Sequence, residues 1–150
     1  MAILGRMRWL LVTPVIVAAG VMVMSAAAAQ PPDPCVLITT TDASTVLGGN
    51  PPKAKPKTVG ATRVCTYTIK KKTMTVQTQK VATQGAFDKA AKANKGIVVP
   101  VQAVGADTWS ANGTKLLVWK NGTAVTITFA GVEPFVAVQQ SLAKTASGRL

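Results

Sequence analysis

"DTWSANGTKLLVWKNGTAVTITFAG", residues 107–131, decides the fold. Asn-Gly occurs in it twice, at 112–113 and 121–122, and the residues around both alternate between apolar and polar. Asn and Gly accept the positive φ that a tight hairpin turn demands, and alternation puts every second side chain of a strand on one face. Two-residue turns would fix the register on both sides. Around 121–122, Val118 then faces Val125 and Leu116 faces Ile127. Around 112–113, Trp109 faces Leu116. Trp109, Leu116, Val118, Val125 and Ile127 thus share one apolar surface, extended by Phe129. Thr126, Thr128, Leu117 and Trp119 take the opposite side. One register serves both turns, as expected of a three-stranded antiparallel meander. Both turns also read Asn-x-Thr, the glycan-acceptor pattern of eukaryotic secretion, but turn chemistry already accounts for them.

Upstream, "RVCTYTI" (63–69) and "TMTVQTQKV" (73–81) carry the same alternation. Cys65, Tyr67 and Ile69 fall on one face, as do Met74 and Val76, and Lys70, Lys71 and Lys72 sit at the hairpin tip between them. "GAFDKAAKANKG" (85–96) predicts a helix with Phe87, Ala90, Ala91 and Asn94 inward, Lys89, Lys92 and Lys95 outward, and Gly96 as its stop. "TTTDASTVLGG" (39–49) predicts another. Thr39 caps it, Asp42 three residues on completes a capping-box-like pair, and Gly48 or Gly49 ends it. "NPPKAKPKTVGAT" (50–62) reads as a loop, held extended by Pro51, Pro52 and Pro56 and solvated by Lys53, Lys55 and Lys57. Downstream, "EPFVAVQQSLAKTA" (133–146) predicts a closing helix with Pro134 in its first turn, and Phe135, Val138 and Leu142 on the face that covers the sheet. The expected fold is α+β: a twisted antiparallel sheet of four to five strands with two to three helices on one face, in the order α-β-β-α-β-β-β-α.

The first thirty residues have the three parts of an export signal. Arg6 and Arg8 make a positive start, Trp9 to Met24 is apolar and uncharged, and "SAAAAQ" offers small residues at −3 and −1 of a cut after Ala29. Residues 1–29 are therefore expected to be a signal peptide and 30–150 a single exported domain. The alternative is an uncleaved anchor, since residues 9–29 are long enough to span a bilayer, although Thr13, Pro14, Gly20 and Ser25 weaken such a helix. In both cases the positive-inside rule sends the remainder outward, to the periplasm or beyond the cell. With cleavage, no stable membrane span remains.

Export bears on Cys35 and Cys65, the two cysteines of the chain. Cys35 follows "PPDP", so the short Leu-small-small approach of a lipidated cysteine is missing. With no histidine and no Cys-x-x-Cys, neither a metal centre nor an activated thiol is expected, and no cofactor is expected. A Cys35–Cys65 disulfide is the remaining role, and it suits an oxidising compartment. It would tie the amino-terminal segment to the first long strand.

Beyond the leader, 15 basic residues stand against 5 acidic ones, a net charge of +10. That attracts anions without naming one. Lys53, Lys55, Lys57, Lys70, Lys71 and Lys72 are the candidate anion contacts, but no aromatic is interleaved among them for base stacking. Ser141 and Lys144 form Ser-x-x-Lys, a nucleophile spacing of penicillin-recognising enzymes, without the Ser-Asp-Asn or Lys-Thr-Gly companions. The five acids, Asp33, Asp42, Asp88, Asp107 and Glu133, form no obvious pair for glycoside hydrolysis, and no phosphate loop or dinucleotide fingerprint is present.

The order "PCVLITTTDASTVLGG", "CTYTI", "AFDKAAKA", "VGADTW" and "LLVWKNGTAVTI" resembles a broad class of small exported, lipoprotein-like bacterial domains of unknown function. The likeness covers most of residues 34–130. It implies a periplasmic or cell-surface α+β domain with Cys35 bridged to Cys65. Two departures stand out. There is no lipobox, and Ala106 separates Gly105 from Asp107 where the class usually has them adjacent. Lipid anchoring is therefore not implied, and no catalytic residue is carried over. The expected function is a non-enzymatic periplasmic or secreted module that binds an envelope component or a partner protein. The alternatives are a binder of anionic polymers, such as nucleic acid or an envelope polyanion, and, third, a Ser–Lys hydrolase.

Overall fold

In the computed structural model, residues 29–93, 98–100, 105–111 and 113–150 are described. The expected leader, apart from Ala29, lies outside them, as do Asn94, Lys95 and Gly96 at the expected end of the second helix. Among the described residues, no helix is long and apolar enough to cross a membrane.

The alternating stretches form the strands expected of them. In chain order the elements are α1 (Pro34–Leu37), α2 (Thr40–Leu47), β1 (Lys57–Val59), β2 (Thr62–Ile69), β3 (Lys72–Lys80), α3 (Gln84–Lys92), β4 (Val98–Pro100), β5 (Asp107–Ala111), β6 (Lys115–Lys120), β7 (Thr123–Ala130) and α4 (Val136–Gly148). The fold is α+β, and all seven strands join one antiparallel sheet in the order β1-β2-β3-β7-β6-β5-β4. This exceeds the four to five strands and two to three helices expected. The additions are α1, β1 and β4, of three or four residues each, too short to display a period.

Of the two Asn-Gly turns, the second has the expected geometry. Asn121 and Gly122 take φ of +50° and +69°, and Val118 pairs with Val125 and Leu116 with Ile127. The first differs. Ala111 pairs with Lys115, so three residues separate β5 from β6, with Gly113 at φ +67°. The Thr114 carbonyl accepts the Phe129 N–H at 2.7 Å. One added loop residue slips the register by one position. Trp109 therefore lies across from Leu117, not Leu116.

One face of the sheet carries Cys65, Tyr67, Met74, Val76, Val125 and Ile127, all buried with α1, α2 and α4 residues in a single cluster. The Tyr67 hydroxyl donates to the Ile38 carbonyl beneath α2. Burial, then the charges of Asp42 and Asp33, push its pKa up to about 12. The helices are not all on this face. On the other, Phe87 of α3 is buried against Leu117, with Val81, Trp119 and Ala124 packed around them. The cause lies in β6, where Leu116, Leu117, Val118 and Trp119 are apolar at both parities. Both sides of that strand need cover, and burying Phe87 contributes about 1.5–3 kcal/mol. The Trp119 indole N–H reaches the Val81 carbonyl at 2.9 Å.

In α2 the capping box is complete. The Thr39 N–H donates to Asp42 Oδ2 at 2.8 Å and the Asp42 N–H to Thr39 Oγ1 at 3.4 Å. Gly48, at φ +74°, ends the helix. In α4 the buried stripe is Gln139, Leu142, Ala143, Ala146 and Ser147. Phe135, expected inward, is the N-cap and is 83% exposed, while Pro134 precedes the helix. Gln139 takes the inner place because it has work there: its Nε2 donates to the Pro134 carbonyl at 2.9 Å and to the Gly113 carbonyl at 3.4 Å. It thereby ties the entry of α4 to the β5–β6 loop.

Candidate functional site

The amino-terminal segment is built onto the sheet at several points. Cys35, on α1, is bonded to Cys65 of β2, with Cα atoms 5.4 Å apart. Asp33 caps α1 by accepting the Cys35 N–H at 2.8 Å, and pairs with Arg63 at 3.1 Å. Arg63 also donates to the Pro31 carbonyl at 3.3 Å, and Thr78 Oγ1 to the Pro32 carbonyl at 2.7 Å. Pro31 and Pro32 are thus docked, and the disulfide closes the end of that dock.

Two lysine groups lie at different points on the β1–β2 side of the sheet, one at the β2–β3 tip and the other on the segment leading into β1. Asn50 shares a cleft with Lys70, Lys71 and Lys72 at the β2–β3 tip. Seven residues later, Lys57 pairs with Val64, part-way back along β2. The segment 50–57 therefore runs beside β2, carrying Lys53, Lys55 and Lys57 from the tip toward the β1–β2 turn. All six lysines are exposed. No carboxylate neutralises them: the two ion pairs among the described residues join Asp33 to Arg63 and Asp42 to Arg149.

The cleft at the tip encloses about 660 Å³, with Leu47 and Ile69 among its apolar lining. Three features fix its shape. Lys70 holds φ +53°, a left-handed conformation that costs a non-glycine residue about 1–2 kcal/mol. Gly131, at φ +69°, packs so close that a Cβ there would lie 2.4 Å from the Lys71 carbonyl oxygen. Lys72 Nζ donates to the Leu47 carbonyl at 3.3 Å, satisfying the carboxyl end of α2. Lys72 is thereby partly committed to the fold, whereas Lys70 and Lys71 make no side-chain hydrogen bond among the described residues. The lysines were visible as candidates in the sequence. The cleft at the tip and the role of Gly131 were not, because both depend on pairings between distant segments.

The hydrolytic candidates are less well arranged. Ser141 and Lys144 are both exposed on α4, and no hydrogen bond joins them. Ser141 lines a groove of about 260 Å³ that also holds Asp42 and Thr45. Asp42 is occupied: burial would raise its carboxyl, but hydrogen bonds from the Thr39 N–H and from Arg149, at 2.7 Å, outweigh that and hold it below the ordinary 3.8. It stays ionised and fixed, a helix cap and not a proton carrier. Among the described residues, no three Cys, Asp or Glu side chains converge as metal ligands.

Comparison with known protein families, with characterised proteins and with solved structures finds no match to this chain.

Proposed function

We propose that this is a non-enzymatic module, exported to the periplasm or the cell exterior, that binds an anionic component of the envelope along its lysine edge. The observation that carries the proposal is the exposed, uncompensated set of Lys70, Lys71 and Lys72 around a fixed cleft, with Lys53, Lys55 and Lys57 on the segment that leads from that cleft into β1. The Cys35–Cys65 bridge supports an oxidising compartment. The leader pattern at 1–29, cut after Ala29, and the resemblance to exported lipoprotein-like domains support the same destination. A partner protein of acidic surface would use the same edge. The Ser–Lys hydrolase has less in its favour, since nothing in the structure brings Lys144 to the Ser141 hydroxyl.

Retention of oxidised residues 30–150 on immobilised polyphosphate, measured against salt, tests this. Binding should be evident at low salt and fall with a log–log slope no steeper than about −4, the value for six contacts to a flexible polyanion. Replacing the six lysines by Gln should abolish it. Replacing Lys89 and Lys92, exposed on α3, should change it little. Absence of retention by the unmodified protein at low salt defeats the proposal.

A further inference from the structure

We infer that maturation leaves Gln30 as the first residue and that this glutamine closes on itself to form pyroglutamate. The inference rests on the export proposed above, with its cut after Ala29.

Among the described residues, the attachments of the amino-terminal segment begin one residue beyond that cut. Pro31 is buried and its carbonyl is held by Arg63, Pro32 is held by Thr78, and Asp33 by Arg63. Gln30, by contrast, is exposed, and among the described residues no hydrogen bond engages its backbone N–H or its carboxamide. Both reacting groups are therefore free to meet. The terminal amine, in its neutral form, attacks the Cδ carbon of its own side-chain amide. A bond forms between the terminal nitrogen and Cδ, the bond from Cδ to Nε2 breaks, and Nε2 leaves as ammonia with the proton given up by the attacking amine. The product is a five-membered lactam, and no oxidant or further reactant enters.

The surroundings favour closure. Gln30 lies in a groove of about 240 Å³ shared with Gly60, Ala61, Arg63 and Lys80. Asp33 balances Arg63, while Lys80 has no ion pair among the described residues and donates to the Thr123 hydroxyl at 3.2 Å. A terminal ammonium in this groove would add a like charge beside Lys80. Ring closure then removes the charge altogether.

The test is the full chain, secreted from a bacterial host through its own leader and examined by intact mass, by the mass of its first peptide and by reaction with an amine label. The expected product is residues 30–150, lighter by one ammonia and unlabelled at its terminus. A Gln30→Ala chain, cut at the same place, should carry the label in full. A chain that starts at Gln30 with its full mass and a reactive amine overturns the cyclisation and leaves the export proposal standing. A chain that is exported but keeps Met1 or starts elsewhere overturns the cyclisation alone, and one that stays in the cytoplasm with Met1 in place overturns both.

Discussion

The two faces of the sheet are drawn from the same long strands and have different fates. One side of β2, β3, β7 and β6 disappears under α1, α2 and α4, with Tyr67, Met74, Val76, Val125 and Ile127 at most 1% exposed. The other side carries Thr66 beside Thr75 beside Thr128, and Thr68 beside Thr73, in register across β2, β3 and β7. These threonines are exposed or half-exposed, and helical cover from α3 is confined to the region of Leu117 and Trp119. Threonine keeps the β-branched shape that suits an extended backbone while its hydroxyl remains in water. A strand can thus stay a strand on both faces and supply a core from only one. Stability should follow this division closely.

The largest expected effect is loss of the disulfide, which fastens the amino-terminal cover to the buried side alone. Replacing Cys35 and Cys65 by Ala should lower unfolding free energy by about 3–4 kcal/mol on the chain-entropy view, read as a lower midpoint in urea. Next is a pair of neighbours on β7. Ile127→Ala should cost about 3 kcal/mol, while Thr128→Ala should change stability by less than about 0.5 kcal/mol. Equal losses from the two would erase the contrast between the faces. A smaller loss than that of Ile127→Ala belongs to Tyr67→Phe, about 1 kcal/mol at neutral pH from the hydrogen bond to Ile38. It also has a pH signature. The Tyr67 hydroxyl titrates at about 12 in the fold against 10.0 in the ordinary case. Its contribution is therefore complete below pH 10.0 and lost as pH rises to about 12. In the Phe variant, that alkaline decline should be shallower by the share Tyr67 supplies.

Features that depend on a few adjacent residues were legible in the sequence. The Thr39–Asp42 box, the Gly48 stop and the Asn121–Gly122 turn are each complete within a handful of positions. The cysteine pairing followed from there being only two. The remainder was hidden for physical reasons. Asn-Gly signals a turn without saying how many residues it holds, so the loop through Gly113 shifted Trp109 by one place. Gln139 and Ser147 look like surface residues until the carbonyls that bury Gln139 come into view. The i, i+3, i+7 spacing of Phe135, Val138 and Leu142 predicts an inward Phe135, but the helix begins at Val136 and Phe135, as its N-cap, turns outward. The cover by α3 had a cue in the four consecutive apolar residues of β6, at 116–119. The lysine edge had its members visible but not its path, since the place of Asn50 at the tip and the pairing of Lys57 with Val64 are set by distant segments.

The ends of the sheet have a consequence of their own. Both border strands, β1 and β4, are three residues long, with Pro56 just before the first and Pro100 closing the second. Proline offers no amide hydrogen, and so short a border leaves few unpaired groups for another chain to copy. Crowded copies of this protein would find little template on one another for growth into fibrils.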